Sequence, residues 1–465
     1  MRFTRRTAVQ AGCGAILGAA WGRNPAPAAP PDGIALSVFE ADITPPLGHP
    51  LLYGSKEPAK SVLDRLAARG LVLRGSERPL VICALDWCEL RNGAYDQFRQ
   101  GLADAAHTTR DRVLLTCVHQ HDAPYCDSGA QERLDQMGLK NALFDPAFLR
   151  KAIQDSAAAL TKSLASAEPI THLGVGRAEV RQVASSRRVI LEGGKPRFNR
   201  LSFTRDAAVR QAPEGLVDPM LKTISFWRDE QPLAALSLYA THPMSYYGQG
   251  EVSFDFPGMA RTLWQRQQQG VFQIYASGCS GDVVTARYND GNPAGRLALA
   301  ERLRDGMAAA WKATQRTPLK TLEFRSVPLD LKPPATGPLA VENLQRVLAD
   351  SSRSKQERIE AALGLSYQAR CAAGQAIDLP VIDFGPAVFM VLPAELFVGY
   401  QLDIQQLQPT KTILTAGYGE CAPGYIPTDS ARLEGFVLEH RYCWVQENVE
   451  QSILQAAAAA LAIAK

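Results

Sequence analysis

Six short apolar runs, at residues 79–85, 112–118, 233–240, 272–276, 387–392 and 412–416, set the limits on what this chain can fold into. Each has the length of a strand and stops at a polar or turn-forming residue. Between them lie helical patterns at 142–167, 258–269, 295–315 and 339–373, and the alanine-rich stretch 446–463 closes the chain as an amphipathic helix. Alternation of this kind predicts a mixed α/β (α+β) fold: a single large catalytic domain with a mixed sheet and surrounding helices. At 465 residues the chain is long for one domain, yet the Pro/Gly-rich breaks at 210–215 and 332–337 are too short for linkers and no internal repeat occurs. The segment at about 337–375 reads as a helical excursion from that domain.

The formal charge is +3, but Arg2, Arg5, Arg6 and Arg23 fall in the first thirty residues, which contain no acid. The remainder of the chain is near neutral, which argues against nucleic acid as a partner, because that binding rests on clustered Lys and Arg. Thr4-Arg5-Arg6-Thr7, a modest apolar stretch and small residues around Ala26-Pro27-Ala28 describe a twin-arginine export signal over residues 1–28. A short amphipathic helix is the competing reading, weakened by Gly12, Gly14 and Gly18. Residues 29–465 then form the domain, periplasmic or extracellular after export. Lipid anchoring at Cys13 is disfavoured by Gln10 in the preceding apolar position. No later run has the length of a transmembrane span. Eight of the nine cysteines come after the leader, an even number that permits disulfides after export, and the lack of any C-x-x-C pair argues against a cysteine zinc site.

Chemistry-bearing residues gather where the apolar runs end. The run 112–118 leads into His119-Gln120-His121-Asp122-Ala123-Pro124. Two histidines spaced i, i+2 on an extended segment face one side, as zinc or acid–base chemistry requires. A pair of hydrogen-bonding loop histidines would look the same. His242 follows the run 233–240, Asp255 precedes a Pro/Gly turn and a helix, and Ser277-Gly278-Cys279-Ser280-Gly281-Asp282 brings backbone N–H groups close together. Each of these also has a structural reading, as a core histidine, a helix-start carboxylate or a tight turn. Glu395 follows a fully apolar run, where a carboxylate is costly unless paired or metal-bound. Tyr425 sits in a turn fixed by Gly424 and Pro427.

The order of these tracts resembles the neutral/alkaline (non-lysosomal) ceramidase family, from about residue 35 to the C-terminus. Carrying the resemblance are Ala41-Asp42-Ile43-Thr44-Pro45-Pro46-Leu47-Gly48, His119-Gln120-His121, Ser186-Arg187-Arg188, Val217-Asp218-Pro219, His242, Ser253-Phe254-Asp255, Gly281-Asp282, Leu392-Pro393-Ala394-Glu395 and Gly424-Tyr425-Ile426-Pro427-Thr428. The resemblance implies a Zn2+ held by His119, His242, Glu395 and Tyr425, a donor set whose nitrogen and oxygen atoms suit zinc. It further implies His121 as a catalytic neighbour and Arg187 as a substrate contact. Two positions depart from the family pattern. Val284 stands where the family carries a catalytic serine, with Thr285 and Ser280 as nearby hydroxyls, and Phe436 replaces a tyrosine. The chain also ends where the family's usual C-terminal immunoglobulin-like domain would begin.

These readings predict an exported zinc-dependent hydrolase that cleaves an amide in an N-acylated, ceramide-like substrate, small or lipid-like. A zinc-dependent hydrolase or lyase acting on an extracellular carbohydrate is the alternative within enzymes. A non-catalytic binding protein that retains the metal is the alternative outside them.

Overall fold

The computed structural model describes residues 33–75, 77–436 and 442–463. Residues 1–28, the expected leader, lie outside them, as does Cys13.

Three sheets make the framework, and each contains one parallel pair of strands. In the first, Val113–Cys117 lies parallel to Leu80–Leu85, and Ala67–Arg74, Ile34–Asp42 and Glu168–Ile170 continue the sheet antiparallel. In the second, Phe272–Ser277 lies parallel to Gln231–Tyr239, followed by Met220–Arg228, His172–Glu179 and Gln315–Pro318. In the third, Thr412–Ala416 lies parallel to Ala387–Val391, and Ile377–Asp383 and Glu323–Leu329 complete it. The parallel strands are buried almost throughout. That explains why they read in sequence as continuous apolar runs rather than as an alternation.

Helices cover the sheets and seal two cores. Asn92–Ala106 turns Ala94, Tyr95, Phe98 and Leu102 inward and stops at His107, which adopts a left-handed conformation. Pro146–Ser163 starts on Asp145, whose carboxylate accepts from the Ala147 N–H, with Pro146 at the first helical position. The apolar pattern at 339–373 forms two helices, Val341–Ala349 and Lys355–Ala372. The second begins with a capping box in which Ser354 and Glu357 satisfy each other's backbone N–H groups. These helices, with Glu450–Ala460, close one core over the first and third sheets. Asp255–Gln267 and Pro293–Lys312 close the other over the second sheet. A buried bidentate pair, Arg261 Nη1 and Nη2 to Asp86 at 2.7 and 2.9 Å, ties the helix Asp255–Gln267 to the end of the strand Leu80–Leu85. No described helix is long and apolar enough to cross a membrane.

The carboxyl ends of the three parallel pairs meet. The Cys117 N–H donates to Tyr418 O at 2.9 Å, joining the first sheet to the third. Gly417 N–H donates to Ser277 O at 2.9 Å, joining the third to the second. Ser277 Oγ donates to Val118 O at 2.7 Å and closes the ring. Ligand sites of α/β proteins lie off the carboxyl ends of parallel strands, and here three such ends open onto one point.

Candidate metal centre and active site

Each sheet delivers one side chain to that point. His119 comes two residues after Val113–Cys117, His242 three residues after Gln231–Tyr239, and Glu395 four residues after Ala387–Val391. His119 holds a φ of 75° and Ala394, beside Glu395, one of 65°. Positive φ is uncommon for side chains of this kind and persists only where the surroundings enforce it. Here the backbone bonds His119 N to Trp87 O at 2.9 Å and Glu395 N to Gly424 O at 2.9 Å do so.

Both imidazoles are oriented by the same device. His119 Nδ1–H donates to Cys88 O at 2.9 Å and His242 Nδ1–H to Ser280 O at 3.0 Å. That assignment leaves both Nε2 atoms as bare lone pairs, facing each other 3.0 Å apart. Glu395 Oε2 lies 3.2 Å from one and 3.6 Å from the other, and this buried oxygen has no hydrogen-bond partner. Burial, with His119 and Arg187 alongside, holds His242 well below the ordinary histidine range. Burial pushes the Glu395 carboxyl up, but His119 and Tyr425 outweigh it and leave the group below its usual value. Three buried donors, two nitrogen and one carboxylate, thus converge, and they can hold a metal ion.

Tyr425 is brought to the same place by a short parallel pairing in which Glu395 and Tyr425 are direct partners. Its ring lies 3° from parallel to that of His242, with centroids 6.3 Å apart. Its hydroxyl touches Glu395 and accepts a hydrogen bond from Arg187 Nη2 at 3.1 Å. Arg187 Nε is anchored on Gly281 O at 2.9 Å, so the guanidinium is fixed over the site. His121 stands beside the group, its ring 5.4 Å from that of His119 and 5.3 Å from that of His242, and its Nδ1 is buried without a partner. Burial first, and His119 and Arg187 next, hold His121 well below the usual range. All six residues singled out in the sequence therefore lie in one locality.

The hydroxyls near the missing serine are otherwise engaged. Val284 is fully buried and pairs with Ser185. Thr285 Oγ1 donates to the carbonyls of Ser202 and Met244 at 3.1 and 2.9 Å. Ser280 Oγ is bonded to Gly278 O and to the Tyr418 hydroxyl at 2.7 Å. Phe436 is buried and packs against Phe397 and Tyr425.

Two neighbours escape a sequence reading. Tyr418 stacks on His119 at 4.1 Å and 15°. Glu89 places Oε1 3.7 Å from His119 Nδ1 and Oε2 3.7 Å from Arg91, and burial pushes its carboxyl well up, with Arg91 opposing and Glu395 adding. Their signal is positional: each comes a few residues after a parallel strand, as His119 and Glu395 do. A cavity of about 380 Å³ opens beside the group, lined by His119, His121, Glu89, Glu395 and Tyr425 among others.

No protein-family model matches the sequence, and no curated protein sequence matches it. Solved structures do match. The neutral ceramidase from Pseudomonas aeruginosa superposes with a TM-score of 0.66, over 92% of this chain and 74% of that one, at 16% identity. A ceramidase complexed with C2 gives a TM-score of 0.65, over 91% and 74%, at 14% identity. The fold is that of the neutral ceramidases. It is α+β, as the alternation of runs predicts. At this identity the likeness is one of fold, and the convergence of His119, His242 and Glu395 belongs to this chain's own geometry.

Proposed function

We propose that this chain is an exported metal-dependent amidohydrolase of the ceramidase type, with zinc as its ion and an N-acylated amine as its substrate. The observation that carries the reading is the pair of bare Nε2 atoms 3.0 Å apart beside the orphaned Glu395 oxygen. His119, His242, Glu395 and Tyr425 are the residues that would hold the ion. When bound, it supplies positive charge that polarises a carbonyl and acidifies water. The rest falls to the chain. Arg187 fixes the Tyr425 hydroxyl and stands ready to donate to a carbonyl oxygen as it gains charge. His121, neutral and with an unpartnered Nδ1 at the cavity wall, takes a proton from the water that attacks the carbonyl carbon and returns it to the amine as the C–N bond breaks. No serine takes part, because Val284 fills that place.

The test is elemental analysis of purified protein followed by turnover of matched N-acyl and glycoside panels, with chelator and after zinc is restored. One zinc per chain and amide cleavage lost to chelator are expected. Glycoside cleavage, or a protein without affinity for zinc, would refute the reading. A second reading, a metal-retaining binding protein, is favoured by the absence of a hydroxyl at Val284; zinc-loaded protein inert on every amide supports it.

A further inference from the structure

The described wall of the cavity differs from what a two-chain lipid needs. Among the described lining residues only Leu52 and Leu363 are aliphatic, against four tyrosines (Tyr53, Tyr125, Tyr247 and Tyr442) besides Tyr425, and Trp444. Hydrocarbon chains are held by continuous aliphatic surface. Tyr and Trp instead combine a broad apolar face with a polar edge, and suit rings that are apolar on their faces and hydroxylated at the rim. At about 380 Å³ the cavity is also at the small end of ligand sites, which run from roughly 300 to 1,000 Å³.

The wall contributed by the helix Lys355–Ala372 is polar. Gln356, Glu360 and Leu363 fall at i, i+4 and i+7 and share one face. Gln356 Nε2 donates to Glu360 Oε1 at 3.1 Å, and Tyr442 and Tyr53 hydroxyls extend the chain at 3.5 and 3.4 Å. Gln356 Oε1 is buried there without a partner. Among the described lining residues Glu89, Glu360 and Glu395 are carboxylates, and with the unpartnered Gln356 oxygen they give the wall hydrogen-bond acceptors suited to hydroxyl groups.

We infer that the cavity takes a small hydroxyl-rich N-acylated amine, an N-acylated amino sugar, with its acyl amide at the His119–His242–Glu395 group and its hydroxyls on Gln356, Glu360 and Tyr442. The inference rests on the amide-cleaving reading above and names its substrate class. The residues of the helix Lys355–Ala372 are then specificity determinants.

Three probes with the same acetyl group and different amines test it on the full chain: N-acetylglucosamine, N-acetylsphingosine and N-acetylalanine. Binding is measured by calorimetry with zinc-loaded and chelated protein, and amine release is followed in parallel. N-acetylglucosamine should bind at least tenfold more tightly than either of the others. The double variant Gln356→Leu/Glu360→Leu should lose at least tenfold of that affinity while its zinc content stays unchanged; Gln356→Ala serves if the double variant fails to fold. Sugar bound but never deacetylated supports the substrate class and refutes the amidase reading. N-acetylsphingosine cleaved with no sugar bound overturns the substrate class and leaves the amidase reading standing. Preference for N-acetylalanine, or no binding of any probe, also overturns it.

Discussion

Buried ionisable residues carry the most direct consequences. His121 stands with its ring 5.4 Å from that of His119 and offers an unpartnered Nδ1. His121→Ala should cost about 10²–10⁴-fold in turnover with zinc content unchanged, read by elemental analysis. Loss of metal from that variant would make His121 a ligand. Glu420 offers a second case, away from the metal group. Its Oε1 accepts from the Asn92 and Ala422 N–H groups at 2.7 and 3.0 Å, yet burial pushes its carboxyl up to about 7, with Arg370 opposing. The folded chain keeps this proton up to about pH 7, while the unfolded chain releases it near 4.5. Between those values the folded state binds more protons, so this group's contribution to stability falls as pH rises. Glu420→Gln retains the Oε1 acceptor and should remove about 3 kcal/mol of that decline. Denaturant titrations of both proteins at pH 4.5 and 7 check it; parallel curves would sink the assignment.

At the scale of the element, Gly281 packs directly against the short strand Glu395–Leu396. A Cβ on Gly281 would lie 2.3 Å from Glu395 O, while Gly281 N–H donates to Leu396 O at 2.9 Å. Gly281→Ala must therefore displace the segment that aims Glu395. Metal affinity should drop at least tenfold in a competitive chelator titration, with the far-ultraviolet dichroism unchanged; unaltered affinity would show that the segment is pliant. The same scale explains what the sequence discloses. The parallel strands Leu80–Leu85 and Val113–Cys117 are apolar on both faces and read plainly as strands, and His119 is legible because it ends one of them. The antiparallel strands Ala67–Arg74 and Met220–Arg228 are not, because Arg69 and Lys222 interrupt the apolar pattern. Paired carboxylates make those charges tolerable: Arg69 meets Glu40 on the neighbouring strand at 2.6 Å, and Lys222 meets Asp218, four residues earlier, at 2.6 Å. Glu89 and Tyr418 escape for a related reason. Their approach to His119 is set by how one sheet end meets another, which no local spacing encodes.

For the whole molecule, the ring of hydrogen bonds through Cys117, Tyr418, Gly417, Ser277 and Val118 makes the three sheets share one junction, and the His119–His242–Glu395 group sits on it. An ion held by His119, His242 and Glu395 would tie one strand end of each sheet to the other two. Zinc at a hundred times its dissociation constant should then stabilise the fold by about 2.7 kcal/mol. Calorimetry should show a melting temperature several degrees higher with zinc than with chelator. A transition indifferent to zinc would mean that the junction holds without it.

None of the eight described cysteines is in a disulfide, although export would permit them. Seven are buried, and all seven belong to the core shared by the first and third sheets; the core over the second sheet contains none. A thiol reagent added to the native protein would mark partly exposed Cys371 at once. Every later modification would then time the transient opening of one half of the molecule, to which the other half contributes no signal.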